Sequence, residues 1–513
     1  MQRRDFSRAL LAAAGLGATG VPAQAGTATI AAIATESTAD PVQVGFDARR
    51  ASTPWTLGYA GLQADAEPMP LQLHGRLPPG LQGQFLRNGP ARHSLGGQRY
   101  HHWFDGDGML QRYSIGPRGI VHQGRFVRTA KFEADSSAGR PVRAAFDTHP
   151  AGGEPVAAPD DINVANTSVV QHAGMLMALW EGGSAYELDP QTLATRGPKV
   201  WSPDYAGVAF SAHPKIEPDG TLWNFGITSF RGLLSVYRVD AGGALAQAVT
   251  LPVKDIAMVH DFAVTARHLV FLLPPLVFDA ERARSGSTFL DAHVWRPGLG
   301  MRVLVLPKDQ LDKPQWFDLP AGFVFHLGNA WEDAAGLITL DYMRSASAWH
   351  ATQGLRSVMR GVHDPQGLAT IAVARLDTRS GRADQTLLPQ VAEFPRVDPR
   401  VVGRPHRQLF MAARLAPGDR PGYDAVMRMD LASGQTDSHR YGPDVMVEEH
   451  LFVPRPGSTR EGDGWLLGTA LDLVKQQMLF SVFDAGRLSA GPLAQGTLAR
   501  PMPLGLHGIF VPA

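Results

Sequence analysis

The sequence has 513 residues, with Lys+Arg and Asp+Glu balanced at 48 each and 44% hydrophobic residues. That length and apolar content suffice for a large core, and balanced charge without a basic run argues against a nucleic-acid partner. The absence of cysteine excludes disulfides, cysteine-ligated iron–sulfur clusters, thiolate nucleophiles and cysteine zinc sites.

Residues 1–25 read as a twin-arginine export signal. Arg3-Arg4 precede Asp5-Phe6-Ser7-Arg8, Ala9 to Ala18 contains only Ala, Leu and Gly, and Ala23-Gln24-Ala25 offers a small-residue cleavage site. The expected destination is the periplasm. Elsewhere no run of apolar residues is long enough to span a bilayer. Residues 26–60 are rich in Ala, Thr and Ser and read as an irregular lead-in. Residues 61–513 contain no evident linker and read as one domain.

From about residue 70 onward, short apolar runs alternate with Gly, Pro, Asp and Asn. Val169-Val170, Met175 to Trp180, Glu187 to Pro190, Thr221 to Phe225, Leu233 to Val239 and His268 to Leu273 all read as strands. A strand followed by Asp-Pro-x-Thr near Glu187 to Leu193 reads as a hairpin, and Arg428 to Gln435 repeats it loosely. Regular short strands over this length predict an all-β fold, a β-propeller. Asp279–Ser285 and Gly354–Arg360 read as short helices, and Ala470–Gln477 fits either a helical turn or a strand edge.

Four of the 18 histidines lie in unusual contexts. They are His213 in Ala-His-Pro-Lys, His260 in Val-His-Asp-Phe, His326 in Phe-His-Leu-Gly-Asn-Ala-Trp-Glu and His507 in Leu-His-Gly-Ile-Phe. Imidazole is a neutral nitrogen donor for Fe, Zn, Ni or Cu, and four from separate segments can hold one metal. His101, His102, His172, His268, His293, His350, His363, His406 and His439 have no such context. Phe104-Asp-Gly-Asp-Gly108 lacks the further acidic residues of a calcium loop. It reads as a tight turn in which Asp105 and Asp107 bond backbone N–H groups.

The chain resembles the carotenoid cleavage oxygenase family at a series of ordered motifs. These include Phe85-Leu-Arg-Asn-Gly-Pro90, His102-Trp-Phe-Asp-Gly-Asp-Gly-Met109, Arg125-Phe-Val-Arg-Thr129, Asn163 to Thr167 and the four histidine segments. Glu393-Phe-Pro-Arg396 and Phe452-Val-Pro-Arg-Pro456 complete the set. The resemblance implies a seven-bladed propeller with a loop and short-helix cap over an axial metal site. It implies one Fe(2+) per subunit on the four histidines, O2 as co-substrate, and an apolar tunnel for a conjugated small molecule. By the same resemblance Glu181 orients His260, Glu393 orients His326 and Glu449 orients His507, while His213 lacks such a partner. Trp331 and His450 depart from the family pattern and are expected to reshape loops.

The expected reaction is oxidative cleavage of a C=C bond in an apocarotenoid or carotenoid. The alternative is the same cleavage of a phenolic stilbene, which requires Tyr100 and Lys131 to face the tunnel; Lys131 otherwise reads as a surface residue. An isomerase or hydrolase on this scaffold, or a zinc-stabilised propeller binding module, ranks lower. Tyr100, Phe104, Trp180, Phe230, Phe278, Trp295 and Phe325 are the tunnel candidates, and transient contact with a membrane surface fits uptake of such a substrate.

Overall fold

Seven β-sheet blades surround an axis, and their middle strands, such as Leu233–Val239 and His268–Leu273, are rich in Val, Leu and Phe because blades pack face to face and bury both sides. The computed structural model describes residues 39–513, so the expected export signal lies outside them. The expected strands are present at Ser168–His172, Met175–Leu179, Tyr186–Leu188, Leu222–Thr228, Leu233–Val239 and His268–Leu273. Two of the blades form one continuous sheet. They share Arg382–Arg396, which is the outer strand of one and the inner strand of the next.

The hairpin signal near Glu187 is a property of several blades. Asp189, Asp240, Asp377 and Asp430 each open the turn between a blade's third and outermost strands. In each case a carboxylate oxygen accepts a backbone N–H two to four residues on, as from Thr192 at 2.8 Å and Ala432 at 3.0 Å. This is the turn-forming use of Asp.

The ring closes with both ends of the chain. Gln72–Gly75 pairs antiparallel with Ala494–Leu498, and Gly508–Pro512 pairs with Gly83–Arg92, Arg87 facing Gly508. Gly508 is needed there because a Cβ would lie 2.3 Å from the Leu86 carbonyl oxygen.

Several local expectations are corrected. The lead-in is not irregular throughout. Pro41–Arg50 is an α-helix, capped by Asp40, which accepts Val42 N–H at 3.0 Å. Its Phe46 is buried beneath the Arg99 guanidinium, and Trp55 and Tyr59 of the following turn join the largest core cluster. Ala470–Gln477 is a hairpin: strands Gly464–Asp472 and Gln477–Asp484 flank a turn with Gln476 at φ +51°. His450 lies inside strand Val445–Pro454, over Gly468, and reshapes no loop; Trp331 likewise sits in strand Phe323–Glu332. The short helices form at Ala280–Arg284 and Leu355–Val358, and a further one, Ala130–Ala138, starts at Thr129 and ends at left-handed Gly139. Among the described residues no helix is long and apolar enough to cross a membrane.

Candidate metal centre

Each of the four histidines stands at or near the start of a blade's innermost strand. His213 and His260 lie two residues before Lys215–Ile216 and Phe262–Val264, His326 lies within Phe323–Glu332, and His507 immediately precedes Gly508–Pro512. Inner strands face the axis, so four blades deliver four imidazoles to one place. Their ligand atoms all lie within 4.8 Å of one another. The Nε2 atoms of His213 and His260 are 2.9 Å apart, those of His260 and His326 3.2 Å, and those of His326 and His507 3.0 Å.

The far ring nitrogens are engaged as expected. His260 Nδ1 bonds the Glu181 carboxylate, His326 Nδ1 bonds Glu393 at 2.5 Å and His507 Nδ1 bonds Glu449 at 2.9 Å. His213 has no carboxylate partner among the described residues; its backbone N–H donates to Ser211 Oγ at 3.3 Å. Irregular register aims several of these groups. His326 lies between the paired residues Val324 and Leu327, Glu393 opens the shift that ends at Arg396, and Glu449 lies between Val447 and His450. A bulge turns a side chain that regular pleating would send elsewhere. Phe394, at φ +57°, donates its N–H to Glu393 and so fixes that carboxylate.

These contacts decide the chemistry of the centre. A carboxylate accepts, so Nδ1 of His260, His326 and His507 carries the proton and each Nε2 presents a lone pair. Lone pairs converging at about hydrogen-bond distance repel unless a cation lies among them. Charge points the same way: Glu181, Glu393 and Glu449 contribute three negative charges, Arg396 bonded to Glu449 at 2.7 Å contributes one positive, and a divalent cation restores neutrality. Burial, then the neighbouring imidazoles, holds His213 well below the usual histidine range; burial brings His507 down to about 3 despite Glu449. At His260 burial opposes the charged form, yet Glu181 raises the pKa overall. Burial opposes ionisation of Glu449, but Arg396 and His507 hold it well below the carboxylate range.

A family model described as retinal pigment epithelial membrane protein matches residues 61–512. The chain belongs to the carotenoid cleavage oxygenase family. It is 32% identical to the apocarotenoid-15,15'-oxygenase of Synechocystis, over 88% of this chain and 95% of that one. The isoeugenol monooxygenase of Pseudomonas putida is 30% identical, over 87% and 95%. The resveratrol cleavage oxygenase 1 of Aspergillus fumigatus is 28% identical, over 86% and 92%. A solved structure of the cobalt-substituted Synechocystis enzyme has TM-score 0.81 at 29% identity, covering 90% of this chain and 98% of that one. A substituted form of the same enzyme has TM-score 0.82 at 30% identity with the same coverage. The metal of the centre in this family of oxygenases is non-haem Fe(II), and the all-nitrogen donor set here fits it.

An apolar cavity of about 350 Å³ reaches this oxygenase's centre at His260 and Glu181. Of the expected tunnel residues, Phe104, Trp180 and Phe230 line it. Phe325 packs beside it, its ring 5.1 Å from His260 and 5.9 Å from Phe104, and Phe278 meets Phe230 edge to face at 4.9 Å. Trp295 packs against the cluster of Phe146 and Phe323 and is not in the wall. Sequence reasoning missed Phe146, Phe289, Thr167 and His293, which are in the wall. Thr167 stood in a quoted motif, and its carbonyl accepts the His507 N–H at 3.3 Å, but nothing in the motif showed that it faces the cavity.

Tyr100 and Lys131 are elsewhere. Lys131 is not a surface residue: its side chain is fully buried, with Nζ 2.8 Å from Asp135, 3.3 Å from Asp107 and 2.6 Å from Tyr100 Oη. Neither residue lines the apolar cavity. Asp107 therefore serves Arg92, at 2.7 Å, and Lys131 rather than backbone N–H groups. Asp105 does accept the Asp147 and His102 N–H groups, and burial pushes its carboxyl up to about 7.

Proposed function

We propose that this protein is a non-haem Fe(II) dioxygenase that cleaves a conjugated C=C bond of an apocarotenoid with O2, giving two carbonyl products. The observation that carries the reading is the union of the four-histidine centre with a long apolar cavity ending at it. When bound, iron supplies the one-electron chemistry between O2 and an alkene that no side chain provides. The protein's residues supply the rest. Glu181, Glu393 and Glu449 hold Nδ1 protons and fix three imidazole planes, so that each Nε2 would be presented to the metal. Phe104, Phe146, Trp180 and Phe289 hold an extended apolar chain and keep bulk water from it. An alkene and O2 balance to two carbonyls without a reductant.

The polyene is preferred to a phenolic stilbene because the wall is mostly apolar and the pair expected to hold a phenol is not in it. Tyr100 and Lys131 are occupied with Asp107 and Asp135. Phe230, 58% exposed at the mouth beside Val156 and Val208, supports uptake from an apolar surface such as a membrane. Export to the periplasm is part of the same reading and is supported by Arg3-Arg4 and the segment after them. The test is incubation of iron-loaded protein with a panel of apocarotenoids and stilbenes, followed by product masses. Cleavage confined to hydroxystilbenes contradicts the substrate; no oxidative cleavage of either contradicts the activity.

A further inference from the structure

The apolar cavity is not the only approach to the four histidines. A second cavity, of about 240 Å³, borders His213, His326, His507 and Glu449. The two lie on opposite sides of the centre. The apolar one takes residues before the histidines, such as 207–209 and 257–259, whereas the second takes mainly residues after them: 214–216, 261, 263–264, 327–329 and 508–509. Because the histidines lead into inner strands, residues before and after them occupy opposite ends of the axis. The second cavity carries charged groups among its apolar lining: Lys215, Asp261, Arg396 and Glu449. Asp261 pairs with Lys215 at 2.8 Å and Glu449 with Arg396 at 2.7 Å. Both carboxylates are buried, while the Lys215 and Arg396 side chains are 20% and 34% exposed, so each cation sits on the solvent side of its partner. It reaches solvent at Pro399, with Val402 beside it.

We propose that the metal ion enters and leaves through this axial channel, with Asp261 and Glu449 as successive oxygen partners on the way to the imidazoles. The proposal rests on the reading that the four histidines hold iron. A hydrated dication pays a heavy desolvation cost in the apolar cavity, whose mouth is Phe230, Val208 and Val156. In the channel the cation meets negative charge: Asp261 stays bonded to the Phe262 and Leu327 N–H groups at 2.7 and 2.9 Å and Glu449 to the Gly508 N–H at 2.9 Å, and each carboxylate keeps a spare lone pair that can replace a water of the hydration shell. Three of the four histidines face this side, against His260 alone on the other.

The test uses iron-loaded enzyme in excess ferrous chelator, with release followed by the colour of the chelate. Iron content of the wild type is measured first: no bound iron sinks the proposed function, whereas bound iron leaves the route to be judged by rates. Val402→Trp and Pro399→Trp narrow the channel mouth and are expected to slow release about tenfold, with turnover before release unchanged. Pro399 is exposed, so that variant folds even if Val402→Trp does not. Phe230→Trp, at the apolar mouth, is expected to release iron at the wild-type rate. Wild-type release from the folded channel variants, or slowing in Phe230→Trp alone, overturns the proposal.

Discussion

Glu393 carries both a proton position and a charge. Glu393→Gln keeps the shape of the side chain but removes the charge, and its amide holds His326 less firmly. Iron affinity or turnover is expected to fall by about 10–100-fold with the fold intact. Metal analysis and steady-state rates check it; wild-type values in both would remove Glu393 from the centre. Lys131 is the opposite case. Its sequence context suggested either a phenol ligand or a solvated side chain, because local sequence does not show that Asp107, Asp135 and Tyr100 close around it. Lys131→Met leaves two buried carboxylates facing each other with only Arg92 near, and should cost about 3–5 kcal/mol of stability. Urea unfolding measures this, and wild-type stability in the variant would contradict the network. The four histidines and three glutamates were legible because each stands in a motif. Thr167, Phe146 and His293 were not read as cavity residues, since their role comes only from where distant loops meet.

Strands were legible as elements wherever both faces are buried, as in Leu233–Val239, where an apolar run is bounded by turn residues. The helix at Pro41–Arg50 was not, since few of its residues are buried and they pack on distant segments, as Phe46 does beneath Arg99, a partner about fifty residues away in sequence. Ala470–Gln477 was ambiguous because Val474-Lys475-Gln476 satisfies a helical period while forming a hairpin whose N–H groups Asp472 accepts at 3.1 and 2.9 Å. The closing strand carries His507 into the centre, which ties ring closure to metal binding. Gly508→Ala puts a methyl against the Leu86 carbonyl oxygen and should destabilise the protein by about 1–3 kcal/mol. Iron occupancy should fall with it. Thermal unfolding and metal content test this together, and a change in neither would show that the strand can yield without moving His507.

For the molecule as a whole, the charge balance, missing cysteine and strand texture gave the class, and the ordered motifs gave the family. The blade boundaries stayed hidden because Arg382–Arg396 serves two blades at once and the termini mix in two others. Burial also shapes the pH response. His102 and His293 are buried, and burial brings each down to about 4 from the usual 6.5. The folded state therefore binds fewer protons than the unfolded chain in this window. Their contribution is fully present above about pH 6.5 and is lost as pH falls toward about 4. Chemical denaturation across that range should show stability falling with acid, and a flat profile would contradict the neutral buried histidines.

A four-histidine iron centre at the end of an apolar cavity should add both atoms of O2 to one alkene. The most direct test is product mass spectrometry after brief reaction of the iron-loaded protein with an apocarotenoid under isotopically heavy O2, before carbonyls exchange with water. Two carbonyl fragments are expected, each carrying one heavy oxygen. Heavy oxygen in only one fragment, with exchange excluded, or an intact substrate would contradict it.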